Sequence, residues 1–168
     1  MDSRLLLHRI LIDGLALSLV GSVIILSSLA ANPRYWLQDY PKAIQEAVPR
    51  KTPAEKRAAR LWGIPFMLTL MAGMVISGVL LKRAQPDARF LTVYADTFGV
   101  ALFFNTWDLL VLDWLIFCTI TPSFLVIPGT AGMPGYKDYQ HHVVAFITGA
   151  ISSVVIAAII AALVYAFG

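Results

Sequence analysis

Charge is what this chain has little of. Asp, Glu, Lys and Arg make up 14% of 168 residues, where a soluble domain averages roughly a quarter. A water-soluble globule of this size is thereby excluded, and long apolar runs account for the deficit better than one large core. Cysteine is nearly missing as well. Cys118 stands alone, which rules out an intramolecular disulfide and a zinc site of several thiolates. Catalytic signatures are missing: there is no GxSxG, no CxxC, no HExxH and no P-loop. The one glycine-rich loop, PGTAGMPG, is not followed by Lys-Ser/Thr, so it is no phosphate cradle, and no motif names a cofactor. No basic stripe with interleaved aromatics is present, which excludes nucleic acid as a partner. Internal repeats and low-complexity tails are lacking too.

What is there is apolar sequence, 58% of the chain with a mean hydropathy of +0.74. Four runs are long enough to cross a bilayer, about 11–29, 64–81, 90–121 and 143–167, the last without a single charge. A span needs about 20 apolar residues, and in lipid every backbone group must find an internal partner, so the runs are predicted to be helices. The expected fold is all-α: one transmembrane domain over 1–168, a polytopic bundle of four spans with one long amphipathic connection at 32–63. The N-terminus imitates a signal peptide, with Arg4 and Arg9 before the apolar run and Ser28-Leu29-Ala30 as a small-residue site. Asp13 interrupts that run, and it is read as a retained first helix.

The third run is too long. About 32 helical residues would extend about 48 Å, against a hydrocarbon core of about 30 Å. Projection, tilt or a break is expected. A hairpin at 105–108 is disfavoured, because no Gly or Pro is available there, and Pro122 is the natural stop. In the 32–63 connection, Thr52, Pro53 and Glu55 have capping-box spacing. A short basic interfacial helix over 53–62 is predicted from it. Aromatic residues flank the connection (Tyr35, Trp36, Tyr40, Trp62), so it should lie ordered on the membrane surface.

With four spans, the 32–63 and 122–142 connections share one face, termed face A. The termini and 82–89 share face B. Face A carries eight Lys/Arg and face B five, which leans toward face A in the cytoplasm.

Polar groups inside the third run raise the functional question. FNTWDLLVLDW places Asn105, Asp108 and Asp113 within it. At about 100° per residue the three share one face about 140° wide, with Trp107 and Trp114 opposite, suited to lipid. Intramembrane carboxylates are costly against lipid and are expected to look inward. His141 and His142 open the fourth run on face A, with Asp138 three and four residues before them. Asn105, Asp108, Asp113, Asp138, His141 and His142 thus form a candidate ligand- or proton-handling set, with the long connection as a lid. Four of them also have a plain structural role open to them. Asp138 suits a helix N-cap, the histidines suit the headgroup layer, and Asp113 suits the wet end of an over-long helix. Toward face B, Arg9 and Asp13 have i,i+4 spacing for an ion pair, and Arg89 or Lys82 would neutralise Asp96.

Small residues recur every four positions: Gly149, Ser153, Ala157 and Ala161 in the fourth run, Gly14, Ser18 and Ser22 in the first. Such stripes let helices approach closely, within the bundle, in a homo-oligomer or in a larger membrane complex. Three functions remain open: a transport or ligand-binding bundle using Asp108 and Asp113, an accessory subunit of a larger complex, or a membrane-embedded metal-dependent enzyme on face A.

Two blocks, DYPKAIQEAVPRKTP and LDWLIFCTITPSFLVIPGTAG, resemble small integral membrane proteins of bacteria with four spans and no known activity. The resemblance covers most of the chain. It implies a bacterial cytoplasmic membrane location and carries over no site residue.

Overall fold

The computed structural model describes residues 3–167. Four long helices dominate: α1 Ser3–Ala31, α3 Pro53–Ala84, α4 Phe90–Ile120 and α5 Tyr139–Phe167. Each is long and apolar enough to cross a membrane, and the protein is an integral membrane protein. A short helix α2, Lys42–Glu46, lies in the long connection. Among the described residues there is no strand.

Helix α4 is the centre of the bundle and packs against α1, α3 and α5. Small residues make that packing possible. A Cβ added at Gly14 would lie 2.6 Å from the Phe103 ring, and one at Gly21 would lie 2.7 Å from Phe104. Ala157 and Ala161 of α5 are fully buried, in one cluster with Met74, Val93 and Ala101. The small-residue stripe of α5 therefore lies at least partly inside the bundle, which weakens it as an oligomer face. Midway along the helices, Leu17, Val100 and Phe104 form an apolar layer, backed by Phe66 and Leu70. Leu68, Leu91 and Ile151 face outward, where lipid would cover them.

The third run does not break; its winding changes, which removes only a small part of its surplus length, and the rest projects or tilts. Phe90–Trp107 is α-helical, and Asp108–Ile120 continues as π-helix. The amide of Thr121 donates to Ile116 O at 2.8 Å, an i→i−5 bond. A π turn holds about 4.4 residues with a rise of ~1.2 Å each, so the helix is shortened by several ångströms over this stretch. Thr121 then turns left-handed (φ 48°) ahead of Pro122. Lys137 closes the end: its Nζ donates to Cys118 O at 2.5 Å, Thr119 O at 3.1 Å and Thr121 Oγ1 at 2.9 Å. A cation there satisfies the orphan carbonyls and suits the helix dipole.

The interfacial helix expected at 53–62 is not separate. It is the first part of α3, which runs without interruption through Pro65. The capping box is formed as expected. Thr52 Oγ1 accepts from the Glu55 amide at 3.2 Å, and Glu55 Oε2 accepts from the Thr52 amide at 2.7 Å. Glu55 also anchors Arg34 Nε at 2.5 Å, which ties the connection to the helix.

The rest of the long connection is ordered on face A. Leu37, Tyr40 and Ile44 are buried in a core shared with Leu29, Phe117, Leu125, Ile127 and Tyr136. The Tyr40 hydroxyl donates to Leu125 O at 2.8 Å. This small second core, built from both face-A connections, roofs the bundle.

Candidate functional site

Beneath that roof lies a cavity of about 350 Å³. The bundle supplies Asp108 and Asp113 from the π segment of α4 and His141 and His142 from the first turn of α5. The roof supplies Trp36, Gln38, Asp39 and Tyr40. Phe66 and Phe117 complete aromatic walls.

The π winding explains why the two α4 carboxylates line one cavity. Asp108 and Asp113 are five residues apart. In an α-helix that spacing separates them by about 140°, whereas at ~82° per residue the separation falls to about 50°. The expected outward placement of the tryptophans is corrected too, by the rewinding for Trp114 and by helix packing for Trp107, which precedes the π segment. Trp107 Nε1 donates to Ser22 Oγ of α1 at 3.0 Å, so this indole is turned between helices. Trp114 packs edge-on against Tyr139, ring centres 5.9 Å apart, with its indole nitrogen buried.

Asp113 Oδ1 lies 3.0 Å from His142 Nδ1. The pair joins α4 to α5, and His142 is buried, its ring edge-on to Phe117 at 5.0 Å. The other ring nitrogen, Nε2, is buried without a partner among the described residues. His141 Nε2 lies 3.0 Å from the backbone oxygen of Asp39, which ties α5 to the roof. The side chain of Asp108 has neither a hydrogen bond nor an ion pair to any described residue; its carboxylate opens onto the cavity.

Asp39 stands at the mouth of the cavity, open on one side. Burial pushes its carboxyl above the ordinary range. Gln38 Nε2, donating at 2.6 Å, and the charge of Lys51 act against that shift. Lys51 Nζ is held in turn by Tyr35 O at 2.9 Å and by Gln38 Oε1.

Of the six candidate residues, four gather here. Asp138 does not. Its Oδ1 accepts from the His141 amide at 3.0 Å, so it caps the start of α5. Asn105 is also elsewhere. Its Nδ2 donates to Phe146 O at 2.9 Å, and it borders a separate apolar cavity of about 190 Å³ with Met67, Met71 and Ser153. Asp39 was not foreseen. Its only sequence signal is its place beside Tyr40 in a connection that aromatic residues hold to the surface.

Among the described residues, no three of His, Cys, Asp and Glu converge closely enough to hold one metal ion. The donor set suits an organic cation or a proton better: separated carboxylates, imidazoles and aromatic faces. The chain matches no known family model, curated protein or solved structure with which it was compared.

Proposed function

We propose that this protein is a small transport or ligand-binding bundle whose ligand is a proton or a small organic cation, received in the face-A cavity. One observation carries the reading: the Asp108 carboxylate sits in a membrane-spanning helix, unpaired among the described residues, and opens onto a cavity of about 350 Å³. Ionisable groups at membrane depth are costly and mark ion pathways or counter-ions. In this reading Asp108 is the counter-charge of the ligand, Asp113 with His142 takes and returns a proton, and Trp36 and Phe66 offer ring faces to a cation. The roof residue Asp39 guards the entrance.

The bacterial cytoplasmic membrane is the proposed location, on the two sequence blocks quoted above. Face A is proposed to be cytoplasmic, since it carries eight of the thirteen Lys and Arg residues. The accessory-subunit reading has less support, because Ala157 and Ala161 of the small-residue stripe are buried inside the bundle. An enzyme would need a reaction centre that the cavity's donor set does not identify.

The test is titration of the purified protein with an alkylammonium series, from methylammonium to tetraethylammonium, at several pH values. Tryptophan fluorescence is the readout, since Trp36 lines the cavity. Saturable binding that strengthens with rising pH and weakens at least about tenfold in Asp108→Asn is expected. If neither the alkylammonium ions nor protons change the signal through Asp108, the cavity is not a cation site.

A further inference from the structure

A second cluster of ionisable groups lies at the other end of the bundle, and the face-A site makes no use of it. Arg9 and Asp13 come from α1, Ser77 from α3 and Asp96 from the start of α4. The expected Arg9–Asp13 pair is present, at 3.7 Å. The expected neutralisation of Asp96 by Arg89 or Lys82 is not. The cation beside Asp96 is Arg9, whose Nε lies 3.9 Å from Oδ1. Lys82 instead donates to Pro86 O at 2.6 Å and stands 4.7 Å over the Tyr165 ring. Arg89 is exposed.

The proton count of this cluster is informative. Ser77 Oγ lies 2.7 Å from Asp13 Oδ2 and 2.8 Å from Asp96 Oδ2. A serine hydroxyl has one hydrogen to donate, and an ionised carboxylate only accepts. With both carboxylates ionised, one of these two contacts would set lone pair against lone pair at hydrogen-bond distance. A single extra proton resolves it, giving a chain from one carboxyl O–H to Ser77 Oγ and from the Ser77 O–H to the other carboxylate.

Charge balance points the same way. Among the described residues, Arg9 is the one cation paired with the two carboxylates. No further ion pair among these residues brings a second cation to them: His8 lies exposed on α1, Arg83 lies exposed at the end of α3, and Tyr165 of α5 is turned to Lys82 and Phe90. Asp96 is fully buried, and its Oδ1 has no hydrogen-bond partner among the described residues. A buried, unpaired second negative charge is a large penalty that one proton removes.

We infer that Asp13 and Asp96 share one exchangeable proton across Ser77, forming a second proton-binding site at the end of the bundle opposite the Asp108 cavity. Exchange between the two carboxyls is a relay. The O–H bond of Asp96 breaks as its proton passes to Ser77 Oγ, while the Ser77 hydrogen passes to Asp13 Oδ2. The reverse transfer restores the first state, with no change in net charge. Asp13 is the accessible end: its side chain is 28% exposed, against 0% for Asp96. Asp13 and Ser77 also border a cleft of about 330 Å³ between α1 and α3.

Infrared spectroscopy of the protein in lipid bilayers near neutral pH tests this, because a protonated carboxyl has a carbonyl stretch distinct from that of a carboxylate. The wild-type spectrum minus that of Asp96→Asn should contain one protonated carboxyl per chain, and the wild-type band should shift on exchange into heavy water. Ser77→Ala should move the band, since the acid loses its hydrogen-bond partner. No acid band in the wild-type spectrum would overturn the proposal, as would an acid band unchanged in Asp96→Asn. If Asp96→Asn does not insert, Ser77→Ala decides: an unmoved band counts against the shared proton, and a moved one supports it.

Discussion

The imidazole of His142 and the carboxylate of Asp113 meet at 3.0 Å across two spanning helices, nitrogen Nδ1 against oxygen Oδ1. This is the only carboxylate–imidazole contact linking α4 to α5 among the described residues. Its strength is measurable as a coupling. Asp113→Asn and His142→Gln, singly and together, should give an interaction energy of about 1–3 kcal/mol in a double-mutant cycle. Reversible unfolding in mixed micelles is the assay. A coupling near zero would mean that the two groups sit side by side without holding the helices.

Asp39 gives a pH signature. Because burial raises its carboxyl above the ordinary range, the folded state holds this proton more tightly than the unfolded chain. The sign follows from linkage: the contribution to stability is complete below the ordinary carboxylate value of about 3.9, and it is lost as pH rises through the raised value. Thermal unfolding followed upward from about pH 4 should therefore show a loss of stability that Asp39→Asn flattens. An identical pH profile in the variant would show that the roof carboxylate is ordinary.

Two glycines on the spanning helices should respond in opposite directions to the same substitution. Gly14→Ala places a methyl group 2.6 Å from the Phe103 ring, and the resulting overpacking should cost about 1–3 kcal/mol. Gly63→Ala meets nothing within 4 Å in the interior of α3. It should stabilise by about 0.5–1 kcal/mol through reduced freedom of the unfolded chain and better helix propensity. Equal effects at the two sites would argue against the close α1–α4 contact.

The spans were legible because hydropathy and length are properties of each segment alone. So were the Thr52 cap, the Asp138 cap and the Arg9–Asp13 pair, which depend on spacing within a few residues. The winding of α4 was not, because an i→i+5 ladder has no sequence template; the surplus length of the run was its one trace. That missing fact displaced Trp114, since phase accumulates residue by residue and a change near Asp108 shifts everything after it; Trp107, ahead of the change, was misplaced because its hydrogen bond to Ser22 of α1 depends on helix packing. Asp39 and the Asp96 partners were hidden for a different reason. Their neighbours are brought together by the fold of a connection and by helix register, neither of which a single segment encodes. The fourth-run stripe was read correctly as a packing face, yet sequence has no means to say whose helix it packs against.

The apolar layer of Leu17, Val100 and Phe104 has a consequence for how fast such a molecule can work. Along α1 and α4 it lies between the Asp108 cavity and the Asp13–Asp96 pair. On the transport reading proposed above, these packed side chains close the direct path between the two. Any charge that crosses must wait for helices to shift against one another, a motion on the order of microseconds to milliseconds. If the proposed transport reading holds, flux through this bundle should saturate with concentration and climb steeply with temperature, the kinetic mark of a carrier that counts its cargo one event at a time.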